Sequence, residues 1–225
     1  MKQLVLELAW NPLPAFAGFL SGDNAAVVAQ LRDQAWPGPP LYLWGPAGCG
    51  KTQLLRELQA RAVEAGLVAQ WFDASIPAPW DLVDDVALVL LDGVDQFDPA
   101  QQHAAFTLFV DAATRPGVQF ASSGRLPPVD LGVREDLRTR LGWGPVHVVR
   151  PLAESGTRDA LHQEARRRGI VLGDEVLDYI LARFARDLKS LMHLLHRLDG
   201  FALAQKRAVT VPLLKRMLEE ERSTS

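Results

Sequence analysis

Eight consecutive residues constrain this chain more than any others: Gly45, Pro46, Ala47, Gly48, Cys49, Gly50, Lys51 and Thr52. They read GxxxxGKT. Three glycines let the backbone curl so that successive N–H groups point inward at phosphate oxygens. Lys51 is placed to reach the β- and γ-phosphates, and the Thr52 hydroxyl to ligate Mg²⁺. The flanks agree. Leu41, Tyr42, Leu43 and Trp44 form a short apolar run suited to a buried parallel strand. Beyond the loop, Leu54, Leu55, Leu58 and Ala62 recur at helical spacing, and Gly66 supplies a stop. Phosphates held here would sit at a helix N-terminus, where the dipole favours anions. A glycine-rich turn that matched only by accident would need neither the strand before nor the helix after.

The rest of the chain supplies strands and helices for an α/β layer. Val68–Asp73 reads as a second strand, Val86–Leu91 as a continuous apolar strand covered on both faces, Val118–Ala121 as a fourth and Val146–Val149 as a fifth. Asp98 and Pro99 open a helix as N-cap and first helical residue, with Phe106, Phe109, Val110 and Ala113 as its apolar stripe. Gly22, Asp23 and Asn24 mark an earlier helix start, and Arg134–Leu141 a short charged helix. After Pro151 the pattern changes to helices alone, near 154–168, 174–184, 187–205 and 212–222. The expected fold is α/β: a P-loop core with a parallel sheet sandwiched by helices, then a small all-helical domain. The expected division is an N-terminal peptide at 1–10, a core at 11–150 and a helical segment at 151–225.

Composition narrows the class. Hydrophobic residues make up 48% of the 225, enough for a sizeable core, and the net charge of -3 argues against gripping nucleic acid as the main task. Cys49 is the only cysteine, so no internal disulfide forms, and packing is its simplest role. No signal peptide and no apolar run long enough to span a bilayer is legible, so a cytoplasmic protein without membrane contact is expected. His193 and His196 lie three apart on a helix, but no further ligand completes a metal set.

Asp92 ends the apolar strand. In an open α/β sheet that places it beside the P-loop, where it can help hold the nucleotide's Mg²⁺ with Thr52. Gly93 follows, where many hydrolytic P-loop proteins carry a second acid to polarise the attacking water, and Asp95 comes two residues late. Ser122 or Ser123 can sense a γ-phosphate or simply close a turn. Arg138 and Arg140 read as solvated surface charges, and Arg186, opening the longest of the later helices, as either a surface charge or a cation facing the nucleotide across the domain junction. Residues near Phe19 and Leu20 are candidates for the adenine pocket by position. At the start, Leu4, Leu6 and Leu8 share one face of an extended segment, with Gln3 before them. That segment is either an edge strand folded onto the domain or a tethered peptide for a partner's groove.

With those residues in hand, the chain resembles the AAA+ ATPases, within them the DnaA group, and more closely the Hda family of DnaA-related regulatory inactivators. The motifs are GPAGCGKT at 45–52, LVLLDGVDQF at 88–97, SGRLPP at 123–128, DLRTRLGWG at 136–144 and ARDLKSLMHLLHRLD at 185–199. The resemblance implies that Arg140 is an arginine finger acting in trans, that Arg186 is the sensor 2 arginine, and that Ser122 or Ser123 lies near sensor 1. It implies that the helical segment is a lid and that Gln3, Leu4, Leu6 and Leu8 bind the DNA polymerase sliding clamp, favouring the tethered peptide.

The implied function is negative regulation of DNA replication initiation. A chain holding ADP or ATP with Mg²⁺ would dock on the clamp and promote hydrolysis of ATP bound to the initiator DnaA. Its own hydrolysis should be slow, because Gly93 brings no acid. Direct sequence-specific DNA binding is not expected, and assembly with further copies is left open. The alternative is an AAA+ motor or helicase loader that hydrolyses its own ATP. A small-molecule kinase and a pure clamp-tethered adaptor are further readings.

Overall fold

The computed structural model describes residues 15–16, 19–184 and 188–224. Gln3, Leu4, Leu6, Leu8 and Arg186 lie outside the described residues. Five parallel strands form one sheet: β1 (Leu41–Trp44), β2 (Val68–Asp73), β3 (Val86–Asp92), β4 (Gln119–Gly124) and β5 (Val146–Val148), in the order β2-β3-β4-β1-β5. The apolar run of β3 lies inside the sheet, between β2 and β4, as a strand buried on both faces must.

Alternation along the strands builds two separate cores. Leu41, Leu43, Leu88, Leu90 and Ala121 point to one face, where α1 (Ala25–Asp33) and α2 (Lys51–Glu64) add Val28, Leu31, Leu54, Leu55, Leu58 and Ala62. Tyr42, Phe72, Val89, Leu91 and Phe120 point to the other. There they meet α3 (Pro99–Ala112) and α4 (Glu135–Leu141) through Ala105, Leu108, Phe109, Leu137 and Leu141. The sheet is therefore sandwiched by helices.

Helix α3 starts as its sequence predicts. The Asp98 carboxylate accepts the Gln101 N–H at 2.8 Å, and the Gln101 side chain accepts the Asp98 N–H at 3.0 Å. Its buried stripe differs from the expected one. Gln101, Ala104, Ala105, Leu108 and Phe109 face the core, Phe106 is half-buried, and Val110 and Ala113 are exposed. The small alanines allow close approach to the sheet, and ranking positions by bulk hides that stripe.

The C-terminal helices α5 (Glu154–Arg167), α6 (Asp174–Arg183), α7 (Leu188–Gln205) and α8 (Val211–Thr224) enclose a third core containing Leu161, Leu177, Ile180, Leu191, Leu195, Leu198 and Leu214. Where the chain leaves β5, it is held by Asn24, only 3% exposed. Its side chain accepts the Arg150 N–H at 2.7 Å and donates to the Arg150 carbonyl at 2.8 Å. Both backbone groups at the exit of the last strand are thus satisfied by one buried amide. No helix among the described residues is long and apolar enough to cross a membrane.

Candidate nucleotide-binding site

The strand order decides what meets at the site. In a parallel sheet all strands end on one edge, and β4 lies between β3 and β1. The chain after β1 (residues 45–52), the end of β3 (Asp92) and the end of β4 (Ser123) therefore converge. Ser123 is fully buried, and its hydroxyl donates to Asp92 Oδ1 at 2.5 Å while accepting the Gly93 N–H at 3.0 Å. Thr52 donates to Asp92 Oδ2 at 2.8 Å. The carboxylate of Asp92 is thus aimed from both sides, by the first turn of α2 and by β4. Ser122, in register with Tyr42 and Leu91, belongs to the opposite side of the strand, so the structure brings Ser123 and not Ser122 to this cluster.

The loop itself is set by glycine conformations. Gly45, Gly48 and Gly50 have φ of 155°, 75° and 102°, which L side chains rarely adopt. A Cβ on Gly45 would lie 2.2 Å from the Val149 carbonyl oxygen, so the backbones of the loop and of the segment after β5 approach too closely for any other residue. Pro46 and Ala47 form the exposed crown of the loop, while Cys49 is buried beneath it. Lys51 folds back over this crown, its ammonium donating to the Gly45 and Pro46 carbonyls at 2.7 and 2.9 Å and to Cys49 Sγ at 3.7 Å. The first N–H groups of α2 have no intrahelical acceptor by helix geometry, and they open onto the same space. Phe19 packs close to this turn, its ring 3.7 Å from where a Gly50 Cβ would stand.

Two further acids flank Asp92. Asp73 is its register partner on β2, a neighbour that sequence spacing did not single out. Its carboxylate accepts the Ser75 hydroxyl and N–H at 2.5 and 2.9 Å and the Trp71 indole N–H at 3.0 Å. Those hydrogen bonds, the Ser75 hydroxyl first, hold its pKa below the usual carboxylate range. Asp95 accepts the Arg125 N–H at 3.1 Å and pairs with its guanidinium at 3.4 Å. Both acids are engaged. Gly93, directly after Asp92, is left-handed at φ 70°, and a Cβ there would meet the Gln96 amide nitrogen at 2.6 Å. Glycine suits this conformation, and a side chain there would have to displace the Gln96 amide.

Arg140 lies on the other layer. It is in the last turn of α4, which packs on the sheet face opposite α2. Its guanidinium stacks over the Trp143 ring, 3.8 Å from the centroid, and lies 5.9 Å from the Phe106 ring. Nothing places it in the cluster formed by Thr52, Asp92 and Ser123. The cluster can cradle a phosphate chain on backbone amides and offer one hydroxyl and one carboxylate to a divalent cation.

Comparison with known proteins adds two findings. Residues 154–218 match the family model described as the Hda lid domain. Domain III of the replication initiation protein DnaA from Thermotoga maritima superposes with a TM-score of 0.77 at 18% identity, covering 93% of this chain and 97% of that one. AMPPCP-bound DnaA from Aquifex aeolicus matches at 0.57 and 20% identity over 76% of this chain, and the Thermotoga maritima RuvB Holliday junction branch migration motor at 0.60 and 14% over 80%. The alignments span 59% and 61% of those longer chains. At these identities the solved structures establish the fold alone. The chain has the AAA+ fold, a parallel five-stranded core with a helical lid, and its lid matches that of the Hda family, findings consistent with an Hda-type protein.

Proposed function

We propose that this chain is a DnaA-related negative regulator of replication initiation that holds a nucleotide of its own and promotes hydrolysis of the ATP bound to DnaA. In this reading residues 1–10 are a clamp-binding peptide carrying Gln3, Leu4, Leu6 and Leu8, 11–150 the nucleotide-binding core, and 151–225 the lid. The backbone of Gly45–Thr52 cradles the phosphates of ADP or ATP. Lys51 exchanges a carbonyl contact for a phosphate oxygen. Thr52 and Asp92 hold Mg²⁺, whose remaining ligands come from phosphate and water. Among the described residues no group of three His, Cys, Asp or Glu side chains is arranged to hold a metal, so the cation would enter with the nucleotide. Ser123 keeps Asp92 oriented, and Arg186 closes the site from the lid.

The observation that carries the reading is the conformation of Gly93. Glycine occupies the position next to Asp92 in a left-handed conformation and brings no acid, while Asp73 and Asp95 are spent on Ser75, Trp71 and Arg125. A site that binds nucleotide but, among the described residues beside Asp92, offers no free carboxylate to polarise water suits a structural nucleotide better than a motor. The Hda-type lid supports DnaA as the partner. Arg140, on the layer away from its own P-loop, would instead enter the site of the ATP-bound partner and stabilise charge developing on the transferred phosphoryl. An arginine supplied in trans accelerates such steps by roughly 10³–10⁵. The test compares two turnovers: ATP with this protein alone, and ATP pre-bound to DnaA in its presence. Slow turnover in the first and fast in the second supports the proposal. Vigorous hydrolysis by this protein alone favours the motor or helicase-loader reading.

A further inference from the structure

We propose that Trp143 is a positioning residue for Arg140, an exposed aromatic platform that presents the guanidinium charged, ordered and unspent. The inference rests on the reading of Arg140 as a finger acting in trans.

The argument begins with what surrounds Arg140. Arg134 is committed to Asp136 at 2.6 Å and Arg125 to Asp95 at 3.4 Å, whereas Arg138, in the same last turn of α4 as Arg140, has no ion pair among the described residues. No carboxylate among the described residues pairs with Arg140. Its partner is the Trp143 ring, three residues on, reached because the helix ends at Leu141 and the chain turns at Gly142. The Trp143 N–H donates to the Arg140 carbonyl at 3.2 Å, which holds the turn and brings the ring back over the side chain. Trp143 is 59% exposed. A large aromatic so placed contributes little to the core, and its main contact is the cation.

The chemistry of the contact explains its use. A guanidinium stacks through its face, while its five N–H donors lie in its plane and point outward. An ion pair with an acid on the same chain would consume those donors, and a partner's phosphates would have to displace it. Stacking on indole restrains the long, rotamer-rich side chain and leaves every donor available. Arg140 is half-buried beside an exposed Trp143 at the end of α4, on the sheet face away from the chain's own P-loop. The recipient is the phosphate chain of a nucleoside triphosphate held by a partner.

The test uses full-length protein with DnaA pre-loaded with ATP and clamp loaded on DNA. The rate of conversion to ADP is followed against protein concentration for wild type, Trp143→Ala, Trp143→Phe and Arg140→Ala. An exposed cation–π contact supports a loss of about two- to fivefold. Trp143→Ala should therefore lower the maximal conversion rate two- to fivefold without moving the half-saturating concentration, and Trp143→Phe should recover most of the loss. Unchanged or increased maximal conversion in Trp143→Ala overturns the inference, because the ring would then be idle or would hold the finger back. A shift in half-saturation alone also overturns it, since Trp143 would then be a docking residue. If Arg140→Ala converts ATP at the wild-type rate, the finger reading itself fails, which is a separate outcome.

Discussion

Ser123→Ala removes one oxygen from the most connected point of the site. The hydroxyl is fully buried, donates to Asp92 at 2.5 Å and accepts from the Gly93 amide at 3.0 Å. A hydrogen bond to a charged group contributes about 1.5–3 kcal/mol, and a buried donor left unpaired costs about 1–3 kcal/mol. The two losses share one atom and do not add fully, so about 3 kcal/mol is expected. For a chain of this size that lowers Tm by roughly 6–12 °C. Thr52→Ala is the matching contrast. It removes the other hydrogen bond to Asp92, at 2.8 Å, but Thr52 is exposed and water can replace it. Its stability loss should stay below about 1 kcal/mol, with Mg²⁺-dependent nucleotide affinity taking the larger effect. Urea denaturation and calorimetric titration of Mg-ADP on both variants test the pair. A Ser123→Ala protein that loses less than about 1 kcal/mol would refute the claim that this hydroxyl organises Asp92 and Gly93.

Other perturbations separate the remaining parts. Lys51→Ala should weaken ADP binding by roughly 10- to 100-fold, the equivalent of one charge-assisted phosphate contact, and unchanged calorimetric affinity would remove the P-loop assignment. Asn24→Ala strands the Arg150 N–H and carbonyl and should cost about 2–3 kcal/mol in thermal or urea denaturation; a neutral result would mean that water replaces the amide. Gly93→Asp places a left-handed aspartate where the Gln96 side chain must yield, so it should lower Tm slightly and fail to raise intrinsic ATP turnover, and a gain in turnover would contradict the reading of a structural nucleotide. Burial lowers the pKa of His147 below 6.5 in the fold, so the unfolded chain binds its proton first as pH falls. That contribution to stability is present above the unfolded pKa and lost below it. A His147→Asn protein should therefore show a flatter decline in stability between pH 7 and pH 5.

How much of this was legible in the sequence depends on whether a residue's role is local. The P-loop, its strand and its helix follow from spacing, because glycine conformation and apolar period act over a few residues. The bounds of β1 and β2 and the Asp98 cap were readable for the same reason. The choice of Ser123 over Ser122 was not, because it depends on which face of β4 turns toward β3. Asp73 and Asp92 lie nineteen residues apart and meet only through strand register. Asn24 and Arg150 are joined across 126 residues by a side chain whose type is common in turns. The stripe of α3 was misplaced because alanines carry the contact. One signal was available and unused: Arg140 and Trp143 are three apart at a helix end followed by glycine, a spacing that puts a cation and a ring on one side.

The central claim is that this chain acts on a nucleotide it does not itself hold. The most direct measurement follows radiolabelled ATP pre-bound to DnaA, with this protein, with and without clamp loaded on DNA, and with Arg140→Ala alongside. The account predicts clamp-dependent conversion to ADP that disappears in the variant. Persistence of the label as ATP under every condition, together with rapid ATP hydrolysis by this protein alone, would contradict it.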